Sequence, residues 1–311
     1  MPLNMKSFIW DNDFNQIHDF ITEIFLLSPS ARYWNPNRFE NRKFGPCGIE
    51  YTNKDDERVK IWEIISDDRA SKKIVAISIE ENESYYWILT HPKYKKYEIE
   101  IIQYIEKQSY ASKKKKNISH VEIFINSLED DKDRVKLLLE LGYKNLGRDS
   151  YNRIRPIDMP VQQYYLPRGF SIRHVDIEND FEQYRSVIGS VFGHCKNMSF
   201  KQAQHYTTAS FYHSELDIVA VDELDNFAAF CTFRFDPKSK IVELEPVGTH
   251  PKYRKMGLGK AIILEGLKRL EKLKPSYIFL NNAADTEGAN ALYDSLGFTI
   301  KQECLLWRKI I

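Results

Sequence analysis

A strand, a turn with two glycines and a helix follow one another near residue 255, and this arrangement can bind an anion. Gly257 and Gly259 stand where apolar residues begin to recur at three- and four-residue spacing, the helical period, over Ala261–Leu270. The start of a helix leaves backbone N–H groups without partners and carries the positive end of the helix dipole. Since glycine has no Cβ, a phosphate group could approach this backbone closely.

Two common phosphate-binding motifs do not fit the turn. The dinucleotide motif Gly-x-Gly-x-x-Gly needs a glycine at position 262, which is Ile262. The nucleotide-triphosphate loop needs a hydroxyl residue after Lys260, where Ala261 stands. The Arg-x-x-Gly-x-Gly that remains at residues 254–259 resembles the pyrophosphate loop of the Gcn5-related N-acetyltransferase (GNAT) superfamily. Residues 289–298 resemble the Ala-x-x-Leu-Tyr-x-x-x-Gly-Phe segment of the same family.

The resemblance runs from about Phe170 to the C-terminus and implies a fold and a cofactor. The implied fold is α/β (α+β layered), a mixed, mostly antiparallel sheet with one splayed parallel pair, flanked by helices. The implied cofactor is acetyl-CoA (coenzyme A), with its pyrophosphate at the turn and its pantetheine arm along the preceding strand. The alternative is a β-to-α turn that needs glycine only for its geometry. The implied cofactor-binding residues are Val247, Gly248, Thr249, Arg254, Lys255, Met256, Gly257, Leu258, Gly259 and Lys260.

The same resemblance implies two catalytic residues. Glu245 shares a strand face with Val247 and would act as general base, with a pKa raised by partial burial. The alternative for Glu245 is an ordinary surface or salt-bridged carboxylate, as Glu243 could be. Tyr293 would act as general acid toward the leaving thiolate, and its alternative is a core aromatic residue. The chain departs from many family members at Thr286, where they have asparagine.

An internal repeat predicts two tandem domains of similar fold. Residues 90–96 nearly duplicate residues 249–255, 159 positions later, and Leu141-Gly142-Tyr143 parallels Leu296-Gly297-Phe298, 155 positions later. A repeat of this length indicates duplicated domains and not a solenoid. The predicted organisation is a degenerate GNAT-like domain at 1–155, a proline-containing linker at 156–169, and an acetyl-CoA-binding GNAT domain at 170–311.

The first copy lacks three of the chemical roles of the second. At the two offsets, Glu245 corresponds to Tyr86 and Tyr293 to Leu138, neither of which can take over the role. The two glycines of the turn correspond to Glu98 and Glu100, whose charges would repel a pyrophosphate. We therefore expect the first domain to help shape the acceptor pocket without binding CoA in this manner.

Composition limits the partners. The 311 residues carry a formal net charge of +1, which gives no argument for nucleic acid or an acidic membrane. Four cysteines without paired spacing predict reduced thiols and no metal site, and no apolar run is long enough to cross a membrane. The prediction is a cytoplasmic protein, monomer or homodimer, whose partner is a small-molecule amine.

The predicted function is transfer of the acetyl group of acetyl-CoA to a primary amine by direct attack in a ternary complex. Neither the turn nor the Tyr293 helix contains a cysteine that could form an acetyl-enzyme. The loop at residues 193–198 could line the acceptor pocket through His194, Lys196 or Asn197, and residues 33–36 could form an aromatic wall or pack in the core. The alternatives are a protein or peptide N-acetyltransferase and a non-catalytic acyl-CoA-binding regulatory protein.

Overall fold

The computed structural model describes residues 2–30, 32–45, 56–65, 72–115, 120–281 and 286–311. These residues form two compact units, which we call unit 1 and unit 2. Unit 1 comprises the described residues within 1–34, 51–151 and 302–311, and unit 2 those within 35–50 and 152–301.

Unit 1 is a sheet with the strand order β1-β2-β3-β4-β5-β12-β6 and three helices. Strands β4 and β5 are parallel, whereas β1–β2, β2–β3, β3–β4 and β5–β12 are antiparallel. The strands are β1 (Leu3–Ser7), β2 (Val59–Ile65), β3 (Lys72–Asn82), β4 (Tyr85–Thr90), β5 (Glu122–Leu128), the first part of β6 (Lys144–Arg155) and most of β12 (Ile300–Ile310). The helices are α1 (Trp10–Leu27), α3 (Glu98–Lys115) and α4 (Lys132–Glu140).

Unit 2 has the strand order β6-β11-β10-β9-β8-β7 and five helices. Strands β10 and β11 are parallel, and the pairs β6–β11, β9–β10, β8–β9 and β7–β8 are antiparallel. The strands are the end of β6, β7 (Ser171–His174), β8 (Asp217–Val221), β9 (Phe227–Phe235), β10 (Ile241–Thr249) and β11 (Tyr277–Leu280). The helices are α2 (Pro36–Phe44), α5 (Ile177–Val191), α6 (Phe200–Tyr206), α7 (Leu258–Leu270) and α8 (Glu287–Ser295).

The two units confirm the predicted fold class and repeat the same local structure. His91 and His250 each follow a strand of a parallel pair, and each Nδ1 accepts a 3.2 Å hydrogen bond from the backbone N–H two residues later. Asp131 and Thr286, 155 positions apart, cap α4 and α8 by accepting from the backbone N–H three residues on. The two sequence offsets therefore connect structurally equivalent positions.

The units divide the chain differently from the predicted boundaries at two places. Residues Cys304–Ile310 of β12 pair with β5, so the C-terminal strand belongs to unit 1. Helix α2 belongs to unit 2, although it lies early in the chain. Local sequence patterns do not show which distant strand or helix supplies a partner, and this is why both assignments were missed.

Strands β6 and β12 are each long and continuous, with 12 and 11 residues. Their hydrogen-bond partners are other strands, with Phe279 opposite Ile154 in unit 2 and Trp307 opposite Ile125 in unit 1.

The apolar face of α7 fixes the turn to the sheet of unit 2. Ile262, Ile263 and Leu267 are buried in one cluster with residues of β9 and β10. Burying each such side chain contributes roughly 1.5–3 kcal/mol. Gly266 is needed in this contact, because a Cβ there would lie 2.1 Å from the ring of Phe233. The start of α7 is thus held at the end of β10.

Within the described part of the chain, each helix is too short or too polar to cross a membrane. The cytoplasmic location and the oligomeric state stay predictions.

Candidate active site

The turn before α7 presents an open helix start. Gly257 has φ +81°, a left-handed conformation that favours glycine, and α7 begins at the next residue. No side chain caps the helix, and its first turn contains no acidic residue. A Cβ added to Gly257 would meet no atom within 4 Å. The first N–H groups of α7 therefore face free space with a favourable dipole for an anion.

The other two glycines at the predicted site lie close to side chains of the protein itself. A Cβ on Gly248 would lie 2.4 Å from the ring of Phe230. A Cβ on Gly259 would lie 3.3 Å from Thr249 Oγ1, so Gly259 allows the helix to approach the end of β10. Gly259 was expected to leave room for a phosphate. Its close approach to Thr249 is a second reason for a glycine at this position.

The predicted cofactor residues lie together at the end of β10 and the start of α7. Arg254, Lys255 and Met256 are exposed, Leu258 is buried, and Lys260 is partly buried. Arg254 Nε donates to the carbonyl of Thr249 at 3.3 Å. The cationic side chains of Arg254, Lys255 and Lys260 give the helix start a positive surface. The residues present therefore fit a pyrophosphate group.

Strand β10 separates from its parallel neighbour before the turn. Pairing with β11 covers Ile241–Glu243, whereas pairing with β9 continues to Thr249. Among the described residues, Val247–Thr249 thus have a strand partner on the β9 side and none on the β11 side. Free main-chain groups at such an edge can bind an extended ligand such as a pantetheine arm.

Glu245 forms an ion pair, in agreement with the salt-bridged alternative for this residue, but the sequence did not indicate its partners. Its Oε1 accepts from Arg38 Nη1 at 3.0 Å, and its Oε2 lies 3.9 Å from Arg234 Nη1. Burial alone would raise the pKa of Glu245, but the charges of Arg38 and Arg234 outweigh it, and the pKa is lowered. The expected raised pKa is therefore wrong, and Glu245 is an ionised carboxylate at neutral pH.

Glu243 carries the raised pKa instead. It is fully buried, and its Oε1 accepts from Asn281 Nδ2 at 2.8 Å and from Asn35 Nδ2 at 3.2 Å. Burial raises the pKa of Glu243, and the charge of Glu245 adds to this, although two arginines oppose it. Of the two interpretations of Glu243, the surface carboxylate is wrong, whereas the salt-bridged carboxylate agrees with the distance of 3.5 Å between its Oε2 and Arg234 Nη1.

Tyr293 lies on α8 with a partly buried ring. It packs on the core of unit 2, with an edge-on contact of 6.1 Å between its ring and that of Phe298. Burial raises the pKa of Tyr293 to about 12. The hydroxyl therefore keeps its proton at neutral pH and can donate a hydrogen bond. Both readings of this residue, acid and core aromatic, are compatible with its position.

A cavity of about 250 Å³ adjoins Glu245 within unit 2. It combines charged groups with apolar and aromatic walls. His194 lines it, as the sequence suggested, whereas Lys196 and Asn197 are not among its lining residues. The lining residues are Arg38, Asn41, Gly45, Tyr184, Ile188, Phe192, His194, Cys195, Tyr206, Arg234, Glu245 and Pro246.

The cysteines differ from the expectation of reduced thiols throughout. Cys195, in the cavity wall, is disulfide-bonded. Cys231 and Cys304 are free and buried, and burial raises the pKa of both thiols. Cys47 lies outside the described residues. No described cysteine is therefore a reactive thiolate at the cavity.

Helix α2 supplies the part of the site that sequence reasoning missed. Asn35 caps it by accepting from the backbone N–H of Arg38, and Pro36 occupies its first position. This Asn-Pro pair is a signal for a helix start that could have been recognised. The helix is fixed within unit 2 by Asn37, which donates to the carbonyl of Arg234, and by Glu40, which accepts from Ser210.

The corresponding positions of unit 1 contain an ion pair. Glu98, at the position of Gly257, is buried and accepts from Arg134 Nη2 at 2.6 Å and Nε at 3.1 Å. Arg134 Nη1 also donates to the carbonyl of Ile88 at 2.8 Å. The helix start here is preceded by a helical turn and carries Glu98 and Glu100 in its first turn. This is a poor anion site.

Comparison with known proteins gives a family match for part of unit 2. Residues 181–298 match the model of the acetyltransferase (GNAT) family. These residues belong to the GNAT family. The match covers the cavity-lining part of α5 and all of α8, and includes Glu245 and Tyr293.

Relatives and solved structures extend the likeness. Mycothiol acetyltransferase of Renibacterium salmoninarum is 30% identical over 146 residues, 43% of this chain and 41% of that protein. The chain spans about half the length of the curated relatives it matches. A tandem GNAT protein from the clavulanic acid biosynthesis pathway has a TM-score of 0.67 at 13% identity, covering 99% of this chain and 98% of that one.

A further solved structure, a GCN5-related N-acetyltransferase from Sphaerobacter thermophilus, has a TM-score of 0.63 at 15% identity and covers 99% of this chain and 95% of that one. At such identities the likeness concerns the fold. It agrees with the repeated layered architecture of the two units.

Proposed function

We propose that unit 2 is an N-acetyltransferase that transfers the acetyl group of acetyl-CoA to a primary amine of a small molecule. One observation carries the proposal: strand β10 joins two sites over four residues. Glu245 borders the cavity, and Thr249 leads into the turn with the uncapped helix start. An anionic donor at the turn and an amine in the cavity would thus meet along one strand.

Binding of the donor rests on backbone groups and positive charge. The N–H groups of the first turn of α7, with Arg254 and Lys255, would hold the pyrophosphate. The edge of Val247–Thr249 would hold the pantetheine arm. Acetyl-CoA would supply a thioester whose carbon–sulfur bond breaks as the amine forms a bond to the acetyl carbon.

Two side chains are assigned to the proton transfers. Glu245 attracts the acceptor ammonium and takes its first proton, directly or through water, before the amine attacks. The second proton leaves the nitrogen as the amide forms, and it replaces the proton that Tyr293 gives to the thiolate. Because the pKa of Glu245 is low, it is a weak base, and its main contribution is electrostatic. Tyr293 holds its proton at neutral pH and donates a hydrogen bond, and finally the proton, to the leaving thiolate.

Direct attack is supported by the state of the cysteines. Cys195 is in a disulfide, and Cys231 is buried with a thiol pKa well above its usual range. Neither offers a thiolate for an acetyl-enzyme. A small acceptor is supported by the cavity of about 250 Å³ and by the matched relatives, which carry the name mycothiol acetyltransferase.

The proposal is tested with the whole chain, acetyl-CoA and a panel of amines, amino sugars, amino acids and short peptides. We expect release of free CoA thiol with at least one small amine and an acetylated product by mass spectrometry. Tight binding of acetyl-CoA without turnover on the panel would indicate an acyl-CoA-binding protein instead. Turnover on peptides alone would indicate the peptide acetyltransferase.

A further inference from the structure

Unit 1 contains a cavity of its own, which the function proposed for unit 2 does not use. Its volume is about 380 Å³, within the range of small-molecule sites and larger than the cavity of about 250 Å³ in unit 2. The pairing of the parallel strands β4 and β5 stops at Tyr86 and Ile125. Beyond that point, residues 87–90 of β4 and 126–128 of β5 line the cavity. The separation of the two strands thus opens a space large enough for a ligand.

The edge of β4 is less suited than the edge of β10 to an extended ligand. Arg134 Nη1 donates to the carbonyl of Ile88 at 2.8 Å. Arg134 is itself held by Glu98, which accepts from its Nη2 at 2.6 Å and from its Nε at 3.1 Å. Because this main-chain group already has a partner, side chains must supply most of the contacts to a ligand. A compact molecule fits this arrangement better than an extended arm.

A pair of stacked rings forms part of the cavity wall. The rings of Tyr33 and Trp87 have centroids 4.6 Å apart and planes inclined by 12°. The Tyr33 hydroxyl donates to Glu81 Oε1 at 2.8 Å, and Trp87 Nε1 donates to Glu81 Oε2 at 2.6 Å. Because one carboxylate binds the polar atoms of both rings, it holds them parallel and leaves their carbon surface for a ligand. Such a surface favours the stacking of another flat ring.

Two buried polar atoms of the lining have no hydrogen-bond partner among the described residues. They are Oγ1 of Thr90, a residue that is 4% exposed, and Oδ1 of Asn126, which is 2% exposed. The amide nitrogen of Asn126 donates to Asp149 Oδ2 and to Cys304 Sγ, both at 3.4 Å, so Oδ1 is the open acceptor. A buried polar atom without a partner costs free energy that a ligand could recover. A fitting ligand offers an N–H to Asn126 and an acceptor to the hydroxyl of Thr90.

The charges of the lining balance one another. In the described part of the chain, and apart from Arg134 with its partner Glu98, the lining has three basic and three acidic side chains: Arg32, Lys95, Lys132, Asp130, Asp131 and Asp133. Lys95 and Asp131 form an ion pair with each other. A lining without a clear excess of either sign gives no preference for an ion. We therefore expect a neutral ligand.

We propose that unit 1 binds a small, neutral heteroaromatic ring with an N–H donor and an acceptor on its edge, which is the chemistry of a nucleobase. The ring would stack on the wall of Tyr33 and Trp87, and its edge would reach Asn126 Oδ1 and the hydroxyl of Thr90. A nucleobase combines the flat surface and the polar edge in one plane, whereas the hydroxyls of a sugar surround a puckered ring. The inference concerns unit 1 alone and stands independently of the function proposed for unit 2.

The first test needs no variant and compares nucleosides that differ at one N–H. Uridine is compared with 3-methyluridine, cytidine with pyrimidin-2-one riboside, and adenosine with purine riboside, by calorimetry on the whole chain. Saturating acetyl-CoA is present, so that the site proposed in unit 2 is occupied. We expect at least one parent nucleoside to bind at one site per chain, and its analogue to bind about 3- to 10-fold more weakly, the effect of one hydrogen bond.

The second test places the binding site in unit 1. Trp87→Leu removes a stacking surface and should weaken nucleoside binding by at least about 10-fold. Thr90→Val keeps the shape of the side chain without its hydroxyl and should weaken binding about 3- to 10-fold. Thr22→Val is the matched control, because it removes another buried hydroxyl of unit 1, which donates to the carbonyl of His18 and does not line the cavity. Its affinity should equal that of wild type, and thermal melting shows that each variant is folded.

Three outcomes would overturn the proposal. The first is that none of the parent nucleosides binds in the presence of acetyl-CoA, and the second is unchanged binding in folded Trp87→Leu and Thr90→Val. The third is binding of glucose or N-acetylglucosamine in place of the nucleosides, which would make the cavity a sugar site. Equal affinity within every pair of nucleosides would remove the assigned role of Asn126. The acetyltransferase proposal is unaffected by each of these results, since it depends on residues of unit 2.

Discussion

Arg38 and Glu245 form an ion pair of 3.0 Å inside unit 2, although 207 positions separate them in the chain. The contact places a residue of the N-terminal half against the predicted catalytic carboxylate. It also changes the chemistry of that carboxylate, because a neighbouring cation stabilises the ionised form. A helix outside residues 170–311 thus helps to form the candidate site of unit 2.

The lowered pKa of Glu245 predicts the pH dependence of the reaction. A carboxyl whose pKa is depressed in the folded protein stays ionised throughout the pH range in which a carboxyl ordinarily titrates. Its charge is lost only as the pH falls through the lower pKa of the folded protein. Between pH 6 and 9 the charge of Glu245 is constant, so a rising limb there belongs to the acceptor amine. Glu245→Gln should lower kcat/KM by about 100-fold and keep this limb.

The measurement is a pH–rate profile of wild type and variant on the same acceptor. Glu265→Gln is the control, since Glu265 pairs with Arg269 on α7 and does not line the cavity. It should keep the wild-type rate at every pH. Loss of the rising limb in Glu245→Gln alone would show that Glu245 titrates in this range and that Arg38 does not control it.

The helix start of α7 can be tested with a charge at Gly257. Gly257→Glu adds a negative charge where the pyrophosphate would bind, and it should reduce acetyl-CoA affinity by more than 100-fold in calorimetry. Any side chain at a positive φ also strains the backbone, so a control variant with the same strain is needed. Gly142→Glu in unit 1 has the same charge, a φ of +82° and equally open space, and it should leave affinity unchanged. Equal affinity in folded Gly257→Glu and wild type would exclude this turn as the cofactor site.

Tyr293 can be tested by removing only its hydroxyl. Tyr293→Phe should keep the ring packing against Phe298 and the affinity for acetyl-CoA, while kcat falls by about 100-fold. Tyr164→Phe is the matched control, because its hydroxyl donates to Glu265 away from the cavity. A normal kcat in Tyr293→Phe would leave the residue with a packing role only.

The turn, its strand and its helix were predictable because they depend on neighbouring residues. Glycine positions and helical periodicity located the start of α7 within a few residues. The repeat was also visible, and the equivalent caps by Asp131 and Thr286 agree with it. Local patterns and the internal repeat can both be recognised in the sequence without knowing which distant residues are in contact.

The electrostatics of the site depend on distant contacts and were not predictable. The lowered pKa of Glu245 requires Arg38, and the burial of Glu243 requires Asn35 and Asn281. Strand alternation placed Glu245 on one strand face with Val247, but it could not show that Glu243 is enclosed. Even if Asn35-Pro36 had been used to predict α2, the sequence would not have shown which part of the protein this helix packs against.

Unit 1 should not bind CoA in the manner proposed for unit 2, and its ion pair gives the reason. Glu98 stands at the position of Gly257, and Arg134 joins it to the carbonyl of Ile88, the position of Val247. The groups that would meet the pyrophosphate and the pantetheine arm are thus already bonded to each other. Calorimetry on the whole chain should give one CoA site, and Gly257→Glu should remove it. Two sites, or tight binding that persists in that variant, would contradict this.

Breaking the ion pair should destabilise the protein without creating a second site. Arg134→Ala leaves the buried carboxylate of Glu98 without its cation, which costs roughly 3–5 kcal/mol of unfolding free energy. Arg148→Ala removes an exposed partner of Glu303 and should cost at most about 1 kcal/mol. Chemical denaturation measures both values, and the stoichiometry of CoA binding should stay at one in each. A second site in Arg134→Ala would instead mean that the arginine alone blocks cofactor binding, because Glu98 and Glu100 are still present in that variant.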